Sequence, residues 1–204
     1  FTTLIIIKNY DTGDDLTPSA VFIDGNNHVH VGQSAKDAII NNPHDAISEF
    51  KNNMGFSIPF KFQSSSRVLM PEELSAEVLK NLRTSIFNQC GVNMEDVVIC
   101  CPANSNPIKT KAINDAAELA GFKSHNLILE PIAVAMAYDL KAKHKDKGNW
   151  MIYDLGGGTF DVSIMRKNFD EIDNINNQGD AYLGGKLIDW DIVDKILAPA
   201  VRDE

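Results

Sequence analysis

Cysteine is scarce in this chain of 204 residues, with three at Cys90, Cys100 and Cys101. Two are adjacent inside an apolar run, which excludes a disulfide framework and is expected of buried thiols in a reducing compartment. No apolar run approaches the ~18 residues that span a bilayer. The opening Phe1-Thr2-Thr3-Leu4-Ile5-Ile6-Ile7 has no basic leader and no small-residue cleavage site, so no secretory signal is expected. Positive charge is short as well: 19 Lys and Arg against 28 Asp and Glu leave −9, with no Lys/Arg cluster. That balance argues against nucleic-acid or anionic-membrane binding. The five histidines lack ligand spacing and make no structural zinc pattern with the cysteines. What is present, 44% hydrophobic and 23% charged residues, is the composition of a folded domain. The expectation is a soluble, acidic, cytoplasmic protein.

Along the chain, the β-branched run 4–7 predicts a strand buried on both faces. Ala20-Val21-Phe22-Ile23, the turn Asp24-Gly25-Asn26-Asn27 and the alternating His28-Val29-His30-Val31 predict a hairpin. Short helices are expected over 34–40 and 45–54, the second closed by Gly55, followed by a strand over 58–62. Pro71, with Glu72 and Glu73 against the positive end of the dipole, opens a longer helix whose stripe is Leu74, Val78, Leu82 and Ile86. A central strand over 97–101 stops at Pro102. The next helix turns Ala112, Ile113, Ala116, Ala117 and Ala120 inward, with Gly121 past its end. A strand over 126–129 leads to a helix at Pro131, with Glu130 at its mouth. The lysine-rich segment 141–147 is the expected domain boundary. Beyond it come strands over 150–154 and 160–165, a third within 171–177, and a helix over about 185–198 with Ile188, Ile192, Val193 and Ile196 inward. Asp189, Asp191 and Asp194 form an acidic face expected to stay solvated. Strands and helices mix throughout, so the class is α/β.

The sharpest chemical feature is Asp154-Leu155-Gly156-Gly157-Gly158-Thr159-Phe160-Asp161. Three glycines let backbone N–H groups converge with no Cβ in the way, a nest for phosphate oxygens, and Thr159 adds a hydroxyl. Asp154 and Asp161 at the strand ends could hold magnesium through its water shell. The plainer reading is a glycine-rich hairpin whose aspartates support the turn; the paired aspartates favour the first. No Gly-Lys-Ser/Thr follows, and the glycines join two strands, so this is not a Walker loop.

Asp154 to Ser163 resembles the second phosphate signature of the 70-kilodalton heat-shock (DnaK-type) chaperones. The likeness continues in family order through Leu16-Thr17-Pro18-Ser19, Val31 to Lys36, Pro71 to Ala76 and Ala116 to Gly121. It extends to Glu130-Pro131 with Ala137-Tyr138, and to Gly179-Asp180 with Leu183-Gly184-Gly185. The resemblance implies an actin-like (ribonuclease-H-like) ATPase fold of two lobes that close on ATP or ADP with Mg2+. Residues 1–140 would be lobe I without its first hairpin, 141–148 a linker, and 149–204 the start of lobe II. It further implies that Lys51 is the catalytic lysine that places the attacking water and offsets charge on the γ-phosphate. Glu130 would orient water near the metal, Asp154 would stand in the magnesium shell and accept a proton, and Asp161 would be a second carboxylate near the metal. Gly156, Gly157, Gly158 and Thr159 would cradle phosphate, and Gly184 and Gly185 would form a later phosphate-side turn. Catalysis there would be positioning plus electrostatic stabilisation of an in-line displacement. Without the resemblance, Lys51 reads as a helix-end lysine complementing the dipole and Glu130 as an ordinary helix start.

The parent protein would couple hydrolysis of the β–γ phosphoanhydride to binding of unfolded polypeptide through a domain not in this chain. A J-domain co-chaperone and a nucleotide-exchange factor are the implied partners. Turnover by these residues alone is expected to be weak or absent. The chain also departs from the family pattern. Asn104, Ser105, Pro107 and Thr110 replace an aromatic pair and the charged residues used in signalling between domains, Leu129 replaces an asparagine, and Lys186 replaces an acid. Two rival readings therefore stand: a non-hydrolysing binding or scaffold module on the same fold, and a sugar kinase or filament-forming ATPase. The glycine triplet with its flanking motifs disfavours the latter.

Overall fold

A computed structural model describes residues 5–142, 147–180 and 182–202. The chain divides into two compact units, Phe1–Ile99 with Ser105–Leu127, and Cys100–Asn104 with Ile128–Glu204.

The first unit is built on three short antiparallel strands, β1 (Ala20–Ile23), β2 (Val29–Val31) and β3 (Ala46–Ser48), in the order β2-β1-β3. The β1–β2 turn forms because Asp24 Oδ1 accepts the N–H groups of Asn26 and His28 at 2.8 and 2.9 Å, and Asn27 takes the left-handed conformation. Helix α1 (Gln33–Asn41) follows, then a 3-10 turn at Phe50–Asn53 and the paired strands β4 (Phe60–Lys61) and β5 (Val68–Leu69). Val21, Ile23, Val31, Phe50, Phe62, Leu69 and Leu74 form the main core.

Helix α2 (Pro71–Cys90) starts where expected: Pro71 needs no N–H partner, and the Met70 N–H donates to Glu73 Oε2 at 2.7 Å. It buries two faces. Leu74 and Val78 meet the β1 core, whereas Ala76 and Leu79 pack with Ala117, Ala120 and Phe122. The latter side comes from α3 (Pro107–Leu119) and the turn after it, with Ala112, Ala116 and Ala117 buried as the spacing predicts and Gly121 at φ +83. Strands β6 (Asp96–Cys101) and β7 (Ser124–Leu129) pair with each other.

Several expectations are corrected. Residues 5–7 carry no regular structure, and Ile5 and Ile6 are 65% and 63% exposed. A β-branched run becomes a strand only where a neighbouring ladder takes its backbone groups, and the β2-β1-β3 sheet does not extend to it; Leu4 lies outside the described residues. The helix expected over 45–54 is a strand and a 3-10 turn. Ala46 and Ile47 pair with Phe22 and Val21, and Glu49 at φ +62 breaks the backbone between the two pieces. The strand over 58–62 shortens to Phe60–Lys61. Strand β6 alternates instead of being buried throughout, which leaves Cys100 exposed along with Cys90; of the three thiols only Cys101 is buried.

Asp45 at the entrance to β3 is held below the usual carboxylate range, first by the Ser64 hydroxyl at 2.6 Å and then by the Ser64 N–H at 2.7 Å. A lowered native pKa gives stability that is fully present above the unfolded value of about 4 and is lost as pH falls through the native one. Ser64→Ala is therefore expected to lower the melting temperature by a constant amount above about pH 5, with the gap to the parent narrowing below about pH 4. A melting series against pH checks this; a gap that widened in acid would contradict it.

The second unit contains α4 (Glu130–Ala142) and an antiparallel meander, β8 (Lys147–Leu155), β9 (Phe160–Asn168) and β10 (Glu171–Asp180), with β9 in the middle. Of the linker expected at 141–148, only 143–146 falls between elements, and those residues lie outside the described ones. One face of the meander carries Ser163, Met165 and Lys167, all buried. Helix α4 lies on this face: Lys167 Nζ on β9 holds both carboxylate oxygens of Asp139 on α4 at 2.6 Å, and Tyr138 meets Trp150 edge to face. Helix α5 (Gly185–Ile192) continues through a π-turn at Val193–Leu197 into α6 (Ala198–Arg202). The inward stripe expected here is not buried: Ile188 is 50% and Ile196 61% exposed, and α5 and the π-turn bury no residue. Among the described residues no helix is long and apolar enough to cross a membrane.

Candidate functional site

Strands β8 and β9 pair in register down to Asp154 opposite Asp161 and Leu155 opposite Phe160. The four-residue connection that follows is closed by the Gly156 N–H donating to the Thr159 carbonyl at 2.9 Å. The hairpin therefore stands where the glycine run predicts it.

The loop is also fixed from a second side. The N–H groups of Gly185 and Lys186, at the start of α5, donate to the carbonyls of Gly156 and Gly157 at 3.0 and 2.9 Å. No side chain caps α5; the loop carbonyls do so in its place and satisfy donors that a helix start leaves open. Peptide planarity then sets the rest. In a trans peptide the N–H points opposite to the C=O of the same unit. With the Gly156 and Gly157 carbonyls turned toward α5, the N–H groups of Gly157 and Gly158 turn away from it, as adjacent donors suited to an anion. A Cβ on Gly157 or Gly158 would meet nothing within 4 Å, so space does not require glycine at either position. Gly184 is the reverse case: a Cβ there would stand 2.6 Å from the Gly158 nitrogen and 2.7 Å from the Gly157 carbonyl carbon and oxygen. Its φ of −173° is ordinary extended backbone, so glycine is required for space alone. Gly184, Gly185 and the triplet thus form one junction.

At the base of the loop, Asp154, Asp161, Ile152 and Ser163 from the hairpin meet Glu130, Pro131 and Val134 from α4, with Ala103, around a narrow cleft of about 10 Å³, room for a single water. Glu130 is the first residue of α4, where a carboxylate complements the helix dipole. Like charges placed directly opposite across a ladder destabilise it, so the Asp154–Asp161 pair is a local cost that a bound cation would offset. Among the described residues no three His, Cys, Asp or Glu side chains form a cluster able to hold a metal ion unaided. The donor set, carboxylates and a serine hydroxyl, is of the all-oxygen type that Mg2+ takes.

The structure thus brings Glu130, Asp154 and Asp161 to one cleft, and Gly156, Gly157, Gly158, Thr159, Gly184 and Gly185 to one junction. Lys51 belongs to the other unit. It lies exposed on the 3-10 turn rather than at the end of an α-helix, anchored by buried Phe50 and Met54; the Ser75 hydroxyl donates to Met54 Sδ at 3.2 Å. The turn ends at Gly55, φ +79, where a Cβ would come within 2.8 Å of Ile108 Cγ2. Sequence reasoning missed Ser163, although its position two residues after Asp161 on a strand puts both on one face. It also missed the apolar wall of Pro131 and Val134.

The two backbone donors turned from α5 thus stand at the end of the hairpin that carries the paired carboxylates. The family pattern described as Hsp70 protein matches residues 2–203. The chain is 36% identical over 193 residues to the chaperone protein DnaK of Thermotoga petrophila, of Thermotoga neapolitana and of Thermotoga maritima, covering 92% of this chain and 32% of each relative. The chain belongs to the Hsp70 family, and it spans about a third of the length of these relatives.

Proposed function

We propose that these residues are the ATP-binding and ATP-hydrolysing part of a heat-shock-70-type chaperone that couples Mg-ATP hydrolysis to binding of unfolded polypeptide. Residues 1–140 are then lobe I of an actin-like ATPase, 141–148 the linker and 149–204 the start of lobe II. The observation that carries this reading is the junction of loop 156–159 with the start of α5, which turns two backbone donors outward above Asp154 and Asp161. Gly156, Gly157, Gly158 and Thr159, backed by Gly184 and Gly185, hold the phosphates. Asp154 and Asp161 hold the waters of the magnesium ion, which when bound neutralises charge on the phosphate oxygens. Glu130 orients water at the same cleft, and Lys51 offsets charge on the γ-phosphate. Clients reach the protein through a domain outside these residues, with a J-domain co-chaperone and a nucleotide-exchange factor as partners.

Asp154→Ala tests the assignment. In the full chain it is expected to reduce ATP turnover by at least about 100-fold and to remove the Mg2+-dependent part of ADP affinity. Isothermal titration with and without Mg2+, beside a phosphate-release assay, reads both effects. Unchanged Mg-ATP turnover would reject the site. A parent chain that binds Mg-nucleotide without turnover, even with peptide and co-chaperone, would favour the scaffold reading, to which the altered segment Asn104 to Thr110 already points.

A further inference from the structure

Gly179 near the end of β10 has no conformational reason to be glycine. Its backbone is of the kind that any L-residue adopts, and a glycine inside a strand weakens it. What it supplies is space. Gly179 is the ladder partner of Asp161 on β9, so the missing Cβ lies on the same face as the Asp161 side chain. A Cβ built there would overlap Asp161 Oδ1 outright, and would stand 2.6 Å from the Phe160 carbonyl oxygen and 2.9 Å from Asp161 Cγ. The Asp161 carboxylate therefore rests over the Gly179 Cα, on the β10 side of the central strand.

That placement bears on the paired aspartates. Asp161 has Asp154 opposite it on β8 and Gly179 opposite it on β10. Were its carboxylate to stand upright or lean toward β8, two like charges would crowd one position of the ladder. By leaning into the space at Gly179 it turns toward β10 and away from the strand that carries Asp154, which eases the like-charge crowding at this position.

We infer that Gly179 is a positioning residue for the cation site: its lack of a side chain sets where the Asp161 carboxylate lies and hence how that carboxylate meets Mg2+. The inference rests on the proposed nucleotide reading of the cleft. Gly179→Ala is the test, in the full chain, with ADP titrated by calorimetry in the presence and absence of Mg2+. The expected result is a loss of about tenfold or more in the Mg2+-dependent gain in ADP affinity, with Mg2+-free ADP affinity within about twofold of the parent. A merely structural role would lower both affinities together. In an Asp161→Ala background the carboxylate is gone, so adding Gly179→Ala should change the Mg2+ gain no further.

A Gly179→Ala protein with an intact Mg2+ gain overturns the inference and leaves the site reading standing. A parent chain that binds ADP without any Mg2+ gain overturns both. Should Gly179→Ala alone fail to fold, Asp161→Ala/Gly179→Ala decides. Melting close to that of Asp161→Ala supports the carboxylate as the group displaced, whereas an unfolded double variant assigns the contact to the Phe160 carbonyl and overturns the proposal.

Discussion

Asp139→Ala is expected to destabilise the protein by about 3 kcal/mol or more, while Asp139→Ala/Lys167→Met recovers most of that loss. The two partners sit on different elements, and both carboxylate oxygens lie 2.6 Å from the ammonium nitrogen. The Lys167 side chain is only 9% exposed, against 24% for Asp139. Removing the aspartate therefore strands a buried ammonium with its main compensation gone, and desolvation of that charge is what the cost measures. Replacing both members with apolar groups removes the charge altogether, and Met at 167 keeps much of the volume beside Met165, which is fully buried. Denaturant unfolding of the two variants and the parent reads the difference directly. A loss below about 1 kcal/mol for Asp139→Ala would mean that the pair behaves as an exposed one. The pair ties α4 to β9, and these same two elements carry Glu130 and Asp161 at the cleft, so a loosened α4 should also weaken Mg-nucleotide binding.

The second large effect is expected at the glycine junction. Gly184→Ala places a methyl group 2.6 to 2.7 Å from three atoms of the Gly157–Gly158 peptide. Those neighbours are backbone, so no side-chain rotation relieves the clash. The loop must move off α5 and lose the bond from the Lys186 N–H to the Gly157 carbonyl. Nucleotide affinity should fall by about tenfold or more, with or without Mg2+, in contrast to the Mg2+-selective loss expected at Gly179. Amide exchange supplies a readout independent of binding: the Gly185 and Lys186 N–H groups should lose protection in Gly184→Ala while the β8–β9 ladder keeps its own. Unchanged protection at both amides would show that the junction absorbs the methyl group and that the loop does not depend on it.

The elements that position the site were legible where local chemistry decides them. A glycine triplet between two alternating runs can hardly be anything but a tight connection, and β8 and β9 pair as that pattern requires. Helix α2 announces itself through Pro71 and its acidic first turn. Its second buried face, at Ala76 and Leu79, was hidden because alanine carries little signal of its own and the partner surface lies about 40 residues away on α3. Segment 45–54 shows tertiary structure overriding local preference: Ala46 and Ile47 take a β1 ladder that no short-range pattern reveals. At the cleft, Asp154 and Asp161 could be paired from their flanking strands, and the resemblance to the heat-shock family pointed to Glu130; Lys51, to which it also pointed, lies in the other unit. The space at Gly179 and the clash surface at Gly184 stayed invisible. Each depends on what lies across a ladder or a loop, and a glycine in sequence looks the same whether it is there for a dihedral angle or for room.

The bonds between α5 and the glycine loop also bear on kinetics. Glycines lose more backbone freedom on ordering than any other residues, and a loop of three would normally charge that loss to the ligand that orders it. Here the carbonyls of Gly156 and Gly157 are already engaged by Gly185 and Lys186, so the loss falls on folding, and under the proposed function a phosphate group would meet donors already in place. Association should then proceed without a slow loop-ordering step. Differences in affinity among loop variants that keep these two bonds should appear in the dissociation rate, with the association rate nearly constant.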